Sequence, residues 1–538
     1  MLLFIPARKS DGAHMLTALI DWARLIGAAW RLTRYDALIP REVAHQAPPL
    51  IKFIGAATRI GANTKRDGRK LRPGERLAAA FEAMSPPYVK LGQVMATRPD
   101  VIGFEMAEDL GRLQDAMPAF PRAHAVAELE TAFGKPLSEL FDTFSEPIAA
   151  ASIAQVHKAT LKDGREVAVK ILRPKIEQRA RREFRAFVRA AKTAEMLSRP
   201  AQRLEPVKFI ETLRESAAVE LDLRMEAGAA SQLAEDMHGD PQIVIPEIIW
   251  PLTSRRILTL SWVDGVAVND HKKLDAMGID RKRLAVHVLQ SFLRQALFNG
   301  FFHADMHQGN ILVRPDGKMV LIDFGIMGRL DALARRTFAE IIYGFSIRDY
   351  QRTAKAHFNA GYVPAHHSVE QFAQALRAVG EPLYGKNANL MDMSKVMQQL
   401  FDVTDLFDMH LRPELVLLQR TMVIVEGVAR GLDPEINLWD SATPVVKEYV
   451  AEEVGPRRQL ERLREATEKA LDVAPHLPRY LEQIGEASAR VSTDRFGLSQ
   501  HTTEELAKAL SREGRMTRAA LLFAGSAALV LVAAMALT

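Results

Sequence analysis

The sequence predicts an α+β fold in which a strand-rich region lies between helical regions. Two runs of apolar and β-branched residues are each interrupted by an Asp-Gly pair, at Asp163-Gly164 and at Asp316-Gly317. An Asp-Gly pair in such a run is a strong signal for a β-hairpin. Before the first hairpin and after the second, apolar residues recur at the spacing of α-helices.

The elements are predicted in a definite order along the chain. Helical patterns extend to about Leu140 and are followed by the first hairpin, within Pro147–Pro174. A charged helical stretch at about 174–239 precedes short strands in "IVIPEIIW" and "RRILTLSWVDG". A helix at 280–299 then leads to the second hairpin, within Asn310–Gly325, and the rest is almost wholly helical to about Leu510.

Composition excludes several classes of protein. The 538 residues, 48% of them hydrophobic, allow two to four domains with sizeable cores. The chain has no cysteine, which excludes disulfides, cysteine-ligated zinc and iron–sulfur clusters. Because a net charge of +5 is small for this length, no nucleic-acid partner is expected.

Two segments in the first 200 residues could contact a membrane surface. Leu16–Tyr35 has apolar residues at helical spacing, broken by charges, which predicts an amphipathic helix. Packing on the protein's own core is the favoured interpretation, and a membrane-surface helix is the alternative. The basic run Glu177–Lys192 is typical of a solvated helix face, with attraction to anionic lipid headgroups as its alternative.

The C-terminal segment Ala519–Thr538 contains no charge. About 20 residues at about 1.5 Å each just cross a hydrocarbon core of about 30 Å, so a single transmembrane helix is predicted. The segment is preceded by Arg512, Arg515 and Arg518. The positive-inside rule then predicts a single-pass protein of the cytoplasmic (inner) membrane with its large domain in the cytoplasm. A small-residue stripe at Ala520, Ala524 and Ala528 leaves a homodimer open.

Four separated residues suggest phosphoryl transfer. Asp305 and Asn310 lie in "HADMHQGN", between a predicted helix and a strand, and Asp323 opens "DFG" after the second hairpin. Lys170 ends the strand "VAVK". A protein-kinase-like site needs a strand lysine on the nucleotide phosphates, a catalytic aspartate, and an asparagine and an aspartate on Mg²⁺, in this order. The sequence therefore predicts a bilobal protein-kinase-like fold that binds ATP and Mg²⁺.

The residue types suit this chemistry because phosphoryl transfer needs positioning and charge neutralisation more than covalent catalysis. Amide and carboxylate oxygens are the hard ligands that Mg²⁺ prefers, and an exposed aspartate can accept or orient a proton. A zinc site formed by His303, Asp305 and His307 is the weighed alternative. It is disfavoured because the loop would have to fold back on itself, and we expect His303 to bond to backbone instead.

Further motifs resemble the UbiB family of atypical kinase-like proteins, the bacterial relatives of the mitochondrial coenzyme Q kinase-like proteins. "KLGQ" at Lys90–Gln93 is similar to the family's Lys-x-Gly-Gln signature, and "AAASIAQVH" at Ala149–His157 to its alanine-rich loop. "ELDLRMEA" at Glu220–Ala227 is similar to its Glu-x-Asp element with a further glutamate. "HADMHQGN" and "DFG" are similar to its catalytic and metal elements.

The resemblance implies a role for each matching residue. Asp305 would be the catalytic aspartate, and Asn310 and Asp323 would hold the metal. Nucleotide binding is implied for Lys170, its partner Glu226, and the loop residues Ala149, Ala150, Ala151, Ser152, Ile153, Ala154, Gln155 and Val156. A regulatory role in occluding the active site is implied for Lys90, Gly92, Gln93, Glu220 and Asp222.

Five regions are expected on this basis. They are a helical N-terminal extension with the Lys-x-Gly-Gln motif (1–140), a kinase-like N-lobe (141–265), a helical kinase-like C-lobe (266–450), a helical C-terminal region (451–518) and a transmembrane anchor (519–538).

Departures from protein kinases accompany the resemblance. Alanines at 149–151 should stiffen a loop in which kinases use the freedom of glycine. The segment after Gly325 already has a helical pattern, so there is no long activation segment and no platform for a peptide substrate.

The resemblance implies a membrane-anchored, ATP-hydrolysing atypical kinase required for ubiquinone biosynthesis. Expected partners are ATP and ADP, membrane lipids, quinone precursors and other ubiquinone-biosynthesis enzymes. Two alternatives stay open: a small-molecule phosphotransferase similar to aminoglycoside and choline kinases, and a non-catalytic nucleotide-gated scaffold.

Overall fold

The computed structural model describes residues 9–37, 65–66, 69–96, 102–111, 113, 118–197, 205–381, 399, 402–404, 406–409 and 412–454. The chain divides into two compact units, Met1–Ala451 and Glu452–Thr538. The predicted transmembrane segment 519–538 and nearly all of 451–518 lie outside the described residues. Within the described ranges, no helix combines the length and apolar character needed to cross a bilayer.

The described residues of the N-terminal part are mainly helical, as predicted, and include one pair of two-residue strands. Prolines begin two of the helices, where a missing N–H costs nothing. The elements are α1 (Lys9–Arg34), β1 (Lys65–Arg66), β2 (Arg69–Lys70), α2 (Pro73–Glu82), α3 (Pro86–Met95), α4 (Phe104–Gly111), α5 (Arg122–Phe133) and the short α6 (Leu137–Leu140).

Helix α1 packs against a later helix, α7 (Ile176–Leu197). The Asp21 carboxylate, fully buried, accepts from the Arg185 guanidinium at 2.9 Å and lies 3.4 Å from Arg189. The hydrogen bond from Arg185 lowers the pKa of Asp21 in spite of its burial. The basic run of α7 is therefore not wholly solvated, because two of its arginines fix α1.

A four-stranded antiparallel sheet follows, with strand order β3–β4–β5–β7. Its strands are β3 (Phe141–Ala150), β4 (Ala154–Leu161), β5 (Glu166–Leu172) and β7 (Ile257–Ser261). The β4–β5 hairpin pairs Thr160 with Glu166 and turns at Gly164, whose φ of 85° suits glycine because it has no Cβ. The first predicted hairpin is confirmed.

Three helices lie in sequence between β5 and β7, the last two strands of this sheet. Helix α7 is followed by α8 (Pro206–Glu220) and α9 (Leu223–Asp236), and the two-residue β6 (Ile243–Val244) comes before β7. The predicted charged helical stretch is thus confirmed as three helices. "IVIPEIIW" contributes only the two residues of β6 and a bridge at Ile248.

The strands of the second hairpin belong to a separate, smaller four-stranded sheet. The strands β8 (Val266–Ala267), β10 (Ile311–Val313) and β11 (Met319–Leu321) join β6 in this sheet, and β9 (Phe301–His303) pairs with β12 (Met327–Arg329). Val313 pairs with Met319 across a turn in which Gly317 has φ of 83°. This hairpin is also confirmed.

The remaining described residues are mainly helical. These helices are α10 (His271–Ala276), α11 (Arg281–Arg294), α12 (Ala332–Ser346), α13 (Tyr350–Asn359), α14 (Val369–Gly380), α15 (Pro413–Leu432) and α16 (Leu438–Val454). One turn of π-helix, Gln295–Asn299, extends α11 toward β9. The largest hydrophobic core joins α11 to the strands around it, so the loop after β9 rests on a rigid base.

His357 provides a test of the core formed by α13 and α14. Burial lowers the pKa of His357 to about 4, although its Nδ1–H donates to the Thr353 carbonyl. The unfolded chain takes up the proton near pH 6.5, so stability should be lost as pH falls from about 6.5 to 4, by at most about 1.4 kcal/mol per pH unit.

His357→Gln should reduce this loss of stability at low pH. Urea unfolding at several pH values measures it, and an equal loss in wild type and variant would contradict it. The exposed His238→Gln is the control.

Candidate active site

One lysine joins two acidic residues from distant parts of the chain. Lys170, near the end of β5, places its Nζ 2.7 Å from Glu226 Oε1 on α9 and 3.0 Å from Asp323 Oδ2 after β11. The side chains of Lys170 and Glu226 are 13% and 8% exposed, whereas that of Asp323 is 43% exposed. Asp323 therefore presents its carboxylate to the cavity while the other two are enclosed.

Charge balance within this triad shifts all three pKa values. Burial disfavours the charged form of Lys170, but Asp323 and Glu226 together raise its pKa. Burial likewise works against ionisation of Asp323, but the Lys170 charge and the Gly325 N–H lower the pKa of Asp323 to about 2. Burial raises the pKa of Glu226 above its ordinary value, with Lys170 opposing. Asp323 is thus an anion at neutral pH.

The loop after β9 holds Asp305 and Asn310 together. Asn310 Nδ2 donates to the Asp305 carbonyl at 3.0 Å, which leaves the amide oxygen as the atom able to bind a cation. His307 lies over the loop, with its Nδ1 accepting from the Gly309 N–H at 2.9 Å and its Nε2 3.6 Å from Asp305 Oδ2. The side chain of Asp305 is 25% exposed, so it is accessible from the cavity.

His303 supports the loop from behind. Its Nδ1 accepts from the Asp305 N–H at 3.1 Å, so its Nε2 carries the proton that is donated to the Asp323 carbonyl. Burial lowers the pKa of His303, which is consistent with this neutral tautomer. Because both ring nitrogens bind backbone, His303 is not available to zinc, and the alternative His303–Asp305–His307 site is not formed.

Two further residues fix this loop and escaped sequence reasoning. Gln295, fully buried in the π-turn, accepts from the His303 N–H at 3.0 Å and donates to Ser291 Oγ at 3.3 Å. The Thr421 hydroxyl on α15 donates to the Leu417 carbonyl of its own helix at 2.8 Å and shares this proton with the Ala304 carbonyl at 3.1 Å. A glutamine within an apolar helical run was the available signal for Gln295, whereas Thr421 gave none because it lies 117 residues away.

The alanine-rich loop reaches the cavity with only part of its length. Ala151, Ser152 and Ile153 line the cavity. The side chains of the other predicted residues, Ala149, Ala150, Ala154, Gln155 and Val156, are not among its lining. Gln155 is fully buried and binds elsewhere: its Oε1 accepts from the Phe120 N–H at 2.9 Å and its Nε2 donates to His157 at 2.8 Å.

Arg173, which sequence reasoning also missed, clamps this loop. Its guanidinium donates to the Ala151 carbonyl at 2.8 Å and to the Pro118 carbonyl at 2.9 Å. Its backbone N–H donates to the Ile153 carbonyl at 2.8 Å. The loop is therefore held at both ends and tied to the segment that precedes the sheet, in keeping with its expected stiffness.

The Lys-x-Gly-Gln motif lies on α3, at the edge of the same cavity. Lys90 forms an ion pair with Glu220 at the end of α8, and Lys90 and Gln93 line the cavity. Gly92 points away from it: an added Cβ would lie 2.4 Å from Leu113 Cδ1 and 2.7 Å from Phe81 Cδ2. The motif thus has two faces, one for closing the cavity and one for close packing.

Asp222 caps the helix that carries Glu226. Its carboxylate accepts from the Arg224 N–H at 3.2 Å and from the Arg224 guanidinium at 2.7 Å. Both bonds lower the pKa of Asp222, the guanidinium bond most. An acidic N-cap also complements the helix dipole, so Asp222 fixes the start of α9 one turn before Glu226.

These residues enclose a single cavity of about 440 Å³. Its charged wall is formed by Lys170, Glu226, Asp305 and Asp323, together with Asn310. Its apolar lining includes Pro86, Pro87, Ile176, Ala180, Phe184, Ala217, Val219, Leu221, Met225, Ile326 and Met327. The cavity therefore combines ionic groups suited to phosphates and Mg²⁺ with apolar surface suited to a carbon skeleton.

The chain is similar to two protein-family models and to several known proteins. The ABC1 atypical kinase-like domain matches residues 112–357, and the UbiB helical domain matches residues 376–437. The chain is similar to a Marinobacter nauticus protein named probable protein kinase UbiB, with 34% identity over 515 residues, 94% of this chain and 93% of that protein. An Aliivibrio fischeri protein of the same name is 38% identical over 411 residues, 75% of this chain and 76% of that protein. Among solved structures, that of Rv3197 from Mycobacterium tuberculosis with erythromycin has a TM-score of 0.48 and 24% identity, over 66% of this chain and 90% of that one.

Gly92 gives a prediction that separates packing from cavity closure. Gly92→Ala should lower the free energy of unfolding by about 1–3 kcal/mol, because the methyl group would overpack α3 against Phe81 and Leu113. The matched control is Gly228→Ala on α9, where nothing lies near the added Cβ, so this helical position should gain up to about 1 kcal/mol. Denaturant unfolding measures both, and equal effects at the two glycines would contradict the packing role.

Proposed function

Because this chain belongs to the UbiB family of atypical kinase-like proteins, we propose that it is an Mg²⁺-dependent ATP-binding enzyme that supports ubiquinone biosynthesis. The observation that carries the proposal is the convergence of Lys170, Glu226, Asp323, Asp305 and Asn310 on one cavity. Lys170 places its charge where nucleotide phosphates would bind, and Glu226 and Asp323 hold that charge in place.

The donor set fits Mg²⁺. The Asp323 carboxylate is partly exposed, and the Asn310 amide oxygen is left for a cation because the amide nitrogen is occupied. Mg²⁺ favours a few hard oxygen ligands and keeps several waters. When bound by these two residues, the ion would neutralise charge that develops on the transferred phosphoryl group.

The proposed reaction is attack by an oxygen nucleophile on the γ-phosphorus of ATP. The new oxygen–phosphorus bond forms as the bond from phosphorus to the β,γ-bridging oxygen breaks, and ADP leaves. Asp305 orients the nucleophile and accepts its proton. His303 accepts from the Asp305 N–H and Gln295 accepts from the His303 N–H, so the backbone that carries this carboxylate is already held in place.

The acceptor is proposed to be water or a small amphipathic molecule, and not a peptide. Strand β12 begins at Met327 and α12 at Ala332, which leaves no room after Gly325 for a long peptide-binding segment. Helix α3, fixed by Lys90 and Glu220, borders the remaining entrance. The apolar wall would suit the carbon skeleton of a quinone precursor, and this favours the handling of lipid intermediates as the biological use of ATP turnover.

Two aspartate variants test the catalytic proposal. Asp305→Asn should lower ATP turnover by about 10²–10⁴-fold with little change in nucleotide affinity, because it removes the proton acceptor alone. Asp323→Asn should instead abolish the Mg²⁺ dependence of nucleotide binding. Phosphate release and calorimetric titration measure the two effects, with Asp316→Asn in the hairpin turn as the control. Wild-type turnover in Asp305→Asn would contradict the proposed role of Asp305 as the proton acceptor.

ATP labelled in its γ-phosphate distinguishes an ATPase from a small-molecule phosphotransferase. Transfer of the γ-phosphate to a phenolic quinone precursor, with no free phosphate released, would favour a small-molecule phosphotransferase. Release of free phosphate that the precursor accelerates would favour the ATPase.

Helix α1 supports a second part of the proposal, attachment to an anionic membrane surface. Its side chains Leu19, Trp22, Ile26 and Trp30 are 40–66% exposed and recur at a spacing that places them on one face. The Arg34 guanidinium lies 5.2 Å from the centre of the Trp30 ring. Tryptophan and arginine at the end of an apolar helix face are typical of membrane-surface helices.

Positive charge beside α1 adds to this attraction. A cavity of about 360 Å³ is lined by Arg24, Lys175, Arg179 and Arg182, with Glu183 and Gln178. Arg24 Nη1 is buried and has no hydrogen-bond partner within the described residues. Anionic headgroups would supply the missing negative charge. A C-terminal anchor at 519–538 remains part of the proposal.

Vesicle binding tests the role of α1. Ile26→Ser with Trp30→Ser should reduce binding to anionic vesicles, because it removes apolar area from the interface. The matched control is Leu333→Ser with Ile347→Ser, which changes two side chains of comparable exposure on another surface. Co-sedimentation of the full chain measures the effect. Equal binding by both double variants would contradict docking by α1 and leave the C-terminal segment as the attachment.

A further inference from the structure

A cluster of metal-ligating side chains lies outside the cavity, in the part of the chain after α13. His366 and His367 come just before α14, and Asp408 lies in a turn 41 residues further along. The three potential ligand atoms all lie within 4.8 Å of one another, and this is the single such group within the described residues. None of the three takes part in the proposed chemistry with ATP.

The distances fit a transition-metal ion. Asp408 Oδ2 lies 3.2 Å from His367 Nε2 and 3.7 Å from His366 Nε2. In tetrahedral zinc sites the ion lies about 2.0–2.2 Å from its nitrogen and oxygen ligands, which places neighbouring ligand atoms about 3.4 Å apart. The carboxylate is thus separated from each imidazole by about one edge of such a tetrahedron, and the ligand atoms of the two imidazoles lie within 4.8 Å of each other.

The local structure holds the ligands in this arrangement. The two imidazole rings lie side by side, with centroids 4.1 Å apart, and His367 packs on the buried ring of Phe407 at 5.3 Å. Asp408 has φ of 48°, a left-handed conformation that aspartate tolerates better than most residues. Its backbone is fixed on both sides, by the N–H groups of Phe407 and Met409 donating to Val403 and Thr404.

We propose that His366, His367 and Asp408 bind a divalent transition-metal ion of the zinc type. Two imidazoles and one carboxylate are ligands that suit zinc. Because the side chains of His366 and Asp408 are 67% and 68% exposed, water completes the coordination. The ion joins the turn that carries Asp408 to the start of α14, across the small core that contains Phe372 and Phe407, and so stabilises this helical region.

Zinc binding by the full chain tests the proposal, in excess Mg²⁺ to occupy the oxygen ligands of the active site. Asp408→Asn removes the charged ligand while asparagine keeps the left-handed turn, and His366→Ala removes an exposed ligand. Each variant should weaken binding of one zinc ion at least tenfold, whereas His238→Ala, an exposed histidine elsewhere, should not. Co²⁺ should give the visible absorption of four-coordinate cobalt in wild type and lose it in Asp408→Asn.

Thermal unfolding adds a second readout. Zinc should raise the Tm of wild type and of His238→Ala but not that of Asp408→Asn, since an ion that binds only the folded chain stabilises it. Equal zinc affinity in all variants would overturn the proposal and reduce the cluster to an ion pair between histidine and aspartate.

Discussion

The ionic contact of Lys170 with Glu226 and Asp323 is the constraint on which the rest of the structure depends. It joins β5 to α9 and to the segment after β11. Glu226 and Asp323 lie 56 and 153 residues after Lys170 in sequence. Lys170 and Glu226 are nearly buried, and a buried charge is tolerated only when it is paired. Removal of one partner would leave an uncompensated charge. The contact therefore stabilises the packing of β5 against α9 and the segment after β11.

The same contact leaves the cavity ready for a nucleotide and a cation. The Asp323 carboxylate, an anion that is partly exposed, supplies negative charge that a divalent cation would offset. Helix α3 is held at the edge of this cavity by the ion pair of Lys90 with Glu220 and by the close packing around Gly92. This arrangement supports the proposal that the phosphoryl acceptor is water or a small molecule.

Much of this could be predicted from the sequence because the signals are local. The two hairpins follow from Asp-Gly turns, and the active-site residues follow from short motifs whose order matches a known constellation. Helix α1 was predicted to begin at Leu16 and begins at Lys9, since a helix end is set by weak local preferences. For α1, packing on the protein's own core and exposure at the surface were the two alternatives, and each applies to one face of the helix. Asp21 packs on α7, whereas Trp30 is exposed.

Other features could not be predicted because they depend on contacts between distant residues. Gln155 belongs to a motif associated with the nucleotide, but strand alternation turns its side chain into the core behind β4. Arg173 and Gln295 act on backbone atoms, which no side-chain pattern reveals. The cluster of His366, His367 and Asp408 exists only because the turn at Asp408 folds back onto α14.

The most direct measurement of the central claim is the affinity of the full chain for ATP, with and without Mg²⁺, in Lys170→Met. If Lys170 holds the phosphates, this variant should bind ATP with Mg²⁺ at least tenfold more weakly than wild type, while Lys162→Met, an exposed lysine in the β4–β5 turn, should bind normally. Equal affinity in wild type and Lys170→Met, with the fold intact by circular dichroism, would contradict the account.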